Sequence, residues 1–403
     1  MTLASLILYE DAAARALEPF ALVRPASEMR SGAVLLRERW EPLVHGGIAG
    51  RIGAPHLASF DETGTPPTAE GLIGAGSIVA NARFAPVLGA AIDDADAWTA
   101  DGQVAAVRLA SAIDPQELAS GALTLEALVK PSARTSSLRG WWVFHAWDLI
   151  RHLTAMLASD IPVIGAALST RDAHHLDGVK LLGQHQVFIE DGAVVEPFVV
   201  LDTQQGPILV RHGAHVQSFT RLVGPCFIGA DSVIHGGRVA ASAIGEQCRV
   251  HGEVSVSAFF GQCNKAHDGF VGHSAIGRWA NLGAGTTTSN LKNSYGTVRM
   301  WTPAGMTDSG MQFLGPLIGD HAKLAIGTLL MTGSVVGAGA SVHDAAARST
   351  VVPPFSWGGG VDEAFAFEKF VEVAERALAR RGVPLSAGVR QSLALAHRQR
   401  WTA

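Results

Sequence analysis

The chain has 403 residues, with 16 histidines, 31 lysines and arginines, and 36 aspartates and glutamates. The chemical question is which of these stand together. His267 precedes Asp268 and follows Lys265 by two positions, in Asn264-Lys-Ala-His-Asp-Gly269. An imidazole can take up a proton at neutral pH, but from spacing alone His267-Asp268 reads equally as a structural pair at a chain corner. His212, His215, His235, His251, His273 and His321 have the types of a metal set without the spacing of one, so no metal site is expected among them. Lys265 and Lys292 can bind phosphate or lie solvated on the surface. Arg24 and Arg30, in Leu22-Val-Arg-Pro25 and Met29-Arg-Ser31, could grip phosphate oxygens bidentately or form salt bridges. No P-loop and no Gly-x-Gly-x-x-Gly after a strand is present.

Composition narrows the setting. Hydrophobic residues make up 48% and charged residues 17%, enough apolar material for packed cores. The formal net charge of -5 and scattered basic residues predict no nucleic-acid partner. Cys226, Cys248 and Cys263 form no Cys-x-x-Cys pair, which suits a reducing compartment. No stretch approaches the ~20 apolar residues of a membrane span, and the N-terminus lacks a signal-peptide pattern. The expectation is a cytoplasmic protein without membrane contact.

The elements that would position these residues announce themselves by period. Aliphatic or aromatic residues recur in steps of six: Val216, Leu222, Ile228, Ile234; Ile244, Val250, Val256; Phe270, Ile276, Leu282; and Ile318, Leu324, Leu330, Val336, Val342. Many precede a glycine, as at Gly229, Gly245, Gly277, Gly283, Gly319 and Gly337. Six matches neither the 3.6 of a helix nor the 2 of a strand, but it matches a hexapeptide β-solenoid with these side chains pointing inward. The period lapses between Thr288 and Ile318, predicting a loop that leaves the prism. The tail from Asp362 reads as helical and suits a cap on the last coil or a contact with a neighbouring subunit.

Before about residue 180, aliphatic runs alternate with helical patterns. Leu6–Leu8, Gly71–Val79, Val104–Leu109 and Trp141–Phe144 read as strands; Ala12–Leu17, Ala33–Trp40, Pro115–Leu128 and Trp147–Leu157 read as helices. Such alternation predicts an α/β domain. The expected organisation is an α/β domain over 1–180, a β-helix over 185–355 and a helical cap over 360–403.

Nearly the whole chain resembles the GlmU-like sugar nucleotidyltransferases of bacteria, which join a nucleotidyltransferase-type domain to a β-helix acyltransferase domain. The front of the resemblance rests on Leu22-Val-Arg-Pro-Ala-Ser-Glu-Met-Arg-Ser-Gly32, Arg37-Glu-Arg-Trp-Glu41 and Asn81-Ala-Arg83-Phe-Ala-Pro86. The denser part is Asn264 to Ser274, Asn281-Leu-Gly-Ala-Gly-Thr286 and Ser289-Asn290-Leu-Lys292-Asn-Ser-Tyr295-Gly296.

The resemblance implies a reduced, Rossmann-like nucleotidyltransferase domain followed by a left-handed parallel β-helix. It implies acetylation of a hexosamine 1-phosphate by acetyl-CoA in the β-helix, and transfer of a nucleotide from a nucleoside triphosphate, with Mg2+, in the front domain. It places His267 as the general base, Asn281 and Asn290 as residues orienting the acceptor, and Lys265, Asp268, Lys292 and Tyr295 beside substrate. At the front it points to Arg24, Arg30, Asn81 and Arg83. It implies a homotrimer with active sites between subunits. Phe270 and Leu291 stand where the relatives carry tyrosine, one residue is missing between Lys265 and His267, and the usual magnesium-binding aspartate has no clear counterpart. Two other readings remain open: a nucleotidyltransferase whose β-helix only oligomerises it, and a sugar-nucleotide-binding regulator without turnover.

Overall fold

The computed structural model describes residues 5–344, 349–358 and 363–402, so the expected boundary at 360 and the tail's start at Asp362 lie outside the described residues. The chain divides into two compact units. One holds the residues up to Leu17, Ala21–His145 and Leu385–Gln399; the other holds Glu18–Phe20, Ala146–Pro384 and the residues from Arg400.

The first unit is built on strands β1 (Leu6–Tyr9), β2 (Ile48–Ile52), β3 (Ile78–Asn81), β4 (Phe84–Pro86), β5 (Ala97–Ala100), β6 (Gln103–Arg108), β7 (Thr135–Ser137) and β8 (Gly140–Trp142), with a short helix α1 (Leu36–Trp40). Six of them form one sheet in the order β2-β1-β3-β6-β5-β7, and β8 pairs with β4. β1 is parallel to β2 and to β3, with Leu6–Tyr9 facing Ile78–Asn81 residue for residue. Both faces of these strands are covered, which is why they are unbroken aliphatic runs. Leu6, Leu8 and Ile78 pack with Trp40, Phe84, Trp98 and Trp142, while Ile7, Tyr9 and Val79 pack with Ile73, Val107 and Leu118.

The helices here are thinner than the sequence pattern predicts. Ala12–Leu17 yields one 3-10 turn at Ala14–Ala16, and Pro115–Leu128 splits into a helix at Pro115–Leu118 and a turn at Leu125–Leu128. Gly121, at φ +76, sits between them in a conformation that no helix continues.

The second unit begins with helices α2 (Asp148–Arg151) and α3 (Leu153–Ala166). A left-handed parallel β-helix of about nine turns then runs over 180–352. Its interior is three ladders of stacked side chains. One runs Ile189, Val210, Ile228, Ile244, Phe259, Ile276, Ile318, Val336, Val352. Thirteen of the fifteen residues in the six-residue steps are inward and buried; Val256 and Phe270 are not, and Val254 and Val271 take the inward places. The coils here are short: Ile228 stacks on Ile244 and Ile244 on Phe259, steps of sixteen and fifteen residues. The missing residues come out of the corners, so the register slips. Val256 becomes a corner residue at φ +46.

Helices flank the prism, one on the outer face of its first coils and one at its last coil. α3 lies so near the first coils that a Cβ on Gly165 would fall 2.3 Å from the Phe188 ring. At the other end α4 (Phe367–Ala379) buries Phe370, Val371 and Ala374, with the Phe370 ring 5.0 Å from that of Phe355. The tail's second helix, α5 (Ala387–Arg398), goes elsewhere. It belongs to the first unit, where the carboxylate of Asp61 accepts from Val389 N at 3.0 Å and from the Ser386 hydroxyl. The lapse in the period is a loop carrying a hairpin, Arg299–Thr302 against Gly305–Asp308. Among the described residues no helix is long and apolar enough to cross a membrane.

Candidate functional sites

In the first unit the parallel strands β1 and β3 end side by side, and a ligand crevice of an open α/β sheet lies beyond such carboxyl ends. Asn81 closes β3 and Asp11 follows β1. The Asp11 carboxylate accepts from Asn81 Nδ2 at 2.9 Å and from Arg83 Nε and Nη2 at 2.8 and 2.6 Å. Arg83 also lies over the Trp142 and Phe144 rings. Burial alone would raise the Asp11 pKa, but Arg83 and the Asn81 amide hold it below the usual carboxylate range. Asp11 was not among the expected site residues, and its partners Asn81 and Arg83 lie about seventy residues further along the chain.

The phosphate ligands expected at this end are already committed within the chain. Arg24 makes a two-pronged contact with Glu62, at 2.6 and 2.9 Å, and lies over the Phe60 ring. Arg30 is buried and donates to Ala33 O at 2.6 Å. Magnesium does not fit this arrangement. Both Asp11 oxygens are taken by Arg83 and Asn81, and among the described residues no three His, Cys, Asp or Glu side chains converge as a metal set.

In the second unit, His267 stands at the rim of a cleft it shares with His235, His251, Asp268, Ala284 and Gly285. Its ring makes no hydrogen bond among the described residues. Asp268 turns away from it to His251, whose Nε2 lies 3.0 Å from Oδ1. His251 Nδ1 lies 3.0 Å from the carbonyl oxygen of His235, and His235 Nδ1 lies 3.1 Å from Gln217 Oε1. The neighbours of His267 are thus held while it is not.

Lys265 is the unexpected member. It is paired opposite Val250, while Asn264 pairs with Asn281, so Lys265 occupies an inward position in the ladder that holds Ile234, Val250 and Leu282. Its side chain threads the core, leaving the residue 2% exposed, and Nζ donates to the carbonyls of His251 at 2.7 Å and His267 at 2.6 Å. Burial pushes its pKa down to about 8, with Asp268 pulling the other way. Lys265 therefore fixes the backbone that carries His267. A cation fifteen residues after Val250, where the short coil repeats, was the available signal.

The two asparagines lie elsewhere. Asn281 accepts from Asn264 Nδ2 at 2.8 Å and lines a separate pocket. Asn290 Nδ2 donates to His273 Nδ1 at 2.8 Å, and burial lowers the His273 pKa, in keeping with a neutral ring that accepts. Lys292 donates to Thr297 O and lines a third cleft, in the inserted loop. Tyr295 is exposed on that loop at φ +56. Within one chain, then, His267, Asn281 and Asn290 occupy three surroundings.

The front of the chain and the solenoid define a class: a nucleotidyltransferase-type sheet followed by a left-handed β-helix. Residues 6–167 match the family model described as sugar nucleotidyl transferase. The bifunctional protein GlmU of Desulfitobacterium hafniense strain Y51 is 26% identical over 194 residues, covering 41% of this chain and 39% of the relative. That of Jannaschia sp. is 28% identical over 165 residues, covering 40% and 32%; that of Bartonella quintana is 28% identical over 193 residues, covering 44% and 37%. The chain spans about two fifths or less of the length of these curated relatives. The front of the chain is thus similar to a sugar nucleotidyl transferase domain, a β-helix follows it, and about two fifths of the chain is similar to these GlmU proteins.

Proposed function

We propose that this protein is a transferase acting on sugar phosphates, and that its β-helix moves an acetyl group from acetyl-CoA to the amine of a hexosamine 1-phosphate. The observation that carries this is His267, whose imidazole stands untethered at an open cleft while Lys265 and His251 are held around it. The amine attacks the thioester carbonyl, a C–N bond forms, and His267 takes the ammonium proton. The C–S bond then breaks and the thiolate of CoA leaves, with the imidazolium as the proton source.

In this reading Asn281 and Asn290 orient the acceptor across a subunit boundary, since neither reaches the His267 cleft within one chain. Ile326, Leu329 and Met331, exposed on the solenoid, support a homotrimer of side-by-side prisms in which such faces are covered. Lys292, Asp268 and Tyr295 are carried as substrate contacts on the same terms. The front unit would couple the sugar 1-phosphate to a nucleoside triphosphate. The commitment of Arg24, Arg30 and Arg83 to internal partners favours a second reading for that unit alone, in which it holds a sugar nucleotide without turnover.

The test is thiol release from acetyl-CoA with glucosamine 1-phosphate, wild type beside His267→Ala. The expected loss in the variant is about 100-fold or more. Equal release by both removes His267 as the base, and no release by a folded wild type leaves the β-helix a scaffold. Pyrophosphate release from UTP and the acetylated sugar phosphate decides whether the front unit turns over.

A further inference from the structure

Several cations around the pocket lined by Asn281 have no carboxylate partner among the described residues. The pocket is a cavity of about 310 Å3 between the solenoid face that bears Asn264, Asn281 and Lys323 and the last turn of α4 with Arg376, Arg380 and Arg381 just beyond. That is the small end of the range of ligand pockets, roughly 300–1,000 Å3.

Lys323 Nζ donates to Trp279 O at 2.6 Å, which uses one of its three protons. Burial pushes its pKa down to about 8, and no carboxylate opposes the shift. The Arg381 side chain has no hydrogen bond or ion pair among the described residues, and its Nε is buried without a partner. Burial comes first in lowering its pKa, and the neighbouring charges of Arg249 and Arg380 add to this. Arg376 at the rim has one acidic contact, Glu372 at 3.4 Å. The Asn264–Asn281 amide pair adds a neutral donor: whichever way the two amides are assigned, one NH2 group has no partner.

Basic residues near a helix C-terminus commonly serve the helix dipole. Such an interaction needs no hydrogen bond, and it leaves the Arg381 side chain without an acceptor. A buried guanidinium N–H left unpaired is costly, and so is a half-buried ammonium with no counter-ion. The uncompensated positive charge is relieved by one ligand carrying acceptor oxygens and at least two negative charges.

We propose that this pocket is a binding site for the phosphate or diphosphate group of a small molecule, with Arg381 and Lys323 as its principal ligands and Arg380 and the Asn264–Asn281 amides completing the shell. Within one chain the site lies apart from the His267 cleft, and binding there is read without turnover. The phosphate could be free or part of a larger substrate, such as the diphosphate of a coenzyme or a sugar phosphate.

The experiment is calorimetric titration of the full-length protein with pyrophosphate, inorganic phosphate, glucosamine 1-phosphate and coenzyme A in parallel, at fixed ionic strength. Wild type is expected to bind pyrophosphate saturably, with Arg381→Gln weakening it about tenfold or more and Arg380→Gln less. Tighter binding of coenzyme A than of pyrophosphate, lost in the same variant, assigns the group to a coenzyme; the same pattern for glucosamine 1-phosphate assigns it to the sugar. Circular dichroism checks that Arg381→Gln is folded. Absence of saturable binding of all four to wild type overturns the proposal, and so does equal affinity in a folded Arg381→Gln. Because binding is read directly, failure of acetyl transfer leaves this result standing.

Discussion

Particular cations of the two units are held in different ways. In the first, Arg83 is paired with Asp11, Arg24 with Glu62, and Arg37 with Glu28 and Glu41. In the second, among the described residues, Lys265 and Lys323 donate only to carbonyl oxygens, the Arg381 side chain has no partner, and the Glu18 carboxyl has one buried oxygen without a hydrogen bond. The difference teaches that a residue type says little about chemistry until its partners are known. The arginines that look like phosphate ligands in the sequence are struts, while cations that look like ordinary surface residues are left with unused hydrogen-bonding capacity.

The sharpest way to break this comparison is to remove a strut. Arg83→Ala strands the Asp11 carboxylate in a mostly buried place, and the unfolding free energy should fall by about 3–5 kcal/mol, as for other broken buried pairs. Urea denaturation followed by tryptophan fluorescence reads this. A loss below about 1 kcal/mol would mean that Arg83 is free to serve a ligand.

An unpaired charge in the second unit should show the opposite sign. Burial raises the Glu18 pKa from 4.5 to about 7, so the folded state holds the proton more tightly than the unfolded chain. That contribution to stability is complete below pH 4.5 and is lost as pH rises through 7. Glu18→Gln should therefore be more stable than wild type at pH 8, by roughly 1–3 kcal/mol, and should lose this advantage by pH 4. A pH-independent difference in melting curves would show that Glu18 ionises normally.

The smallest stability effect is expected at the proposed base. The His267 side chain has no hydrogen bond among the described residues and is exposed, so His267→Ala should shift stability by no more than about 0.5 kcal/mol while lowering the proposed acetyl transfer about 100-fold or more. A larger loss of stability would mark the histidine as structural.

Much of the solenoid was legible beforehand. A period of six, with glycine after the aliphatic residue, has one economical physical solution, and it located the coils, the insertion at 288–318 and the helical closure near the end. Its failures are local. Val256 and Phe270 were misplaced because coils of fifteen and sixteen residues move the register at their corners. For the same reason Lys265 read as a phosphate ligand or a solvated lysine and not as an inward residue. In the front unit, the residues after β1 and β3 were partly visible as Asn81 and Arg83, but Asp11 was not, because its partners lie seventy residues away in the chain.

By itself the sequence determined periodicity, the order of the two architectures and the dense segment from Asn264 to Gly296, since these depend on local spacing and composition. Only the tertiary structure decided which charges are paired, that Lys265 points inward beneath His267, and that His267, Asn281 and Asn290 face three different surroundings. Pairing and burial arise between residues far apart in the chain, and a charge's chemistry depends on the solvent and partners left to it, which no local pattern records.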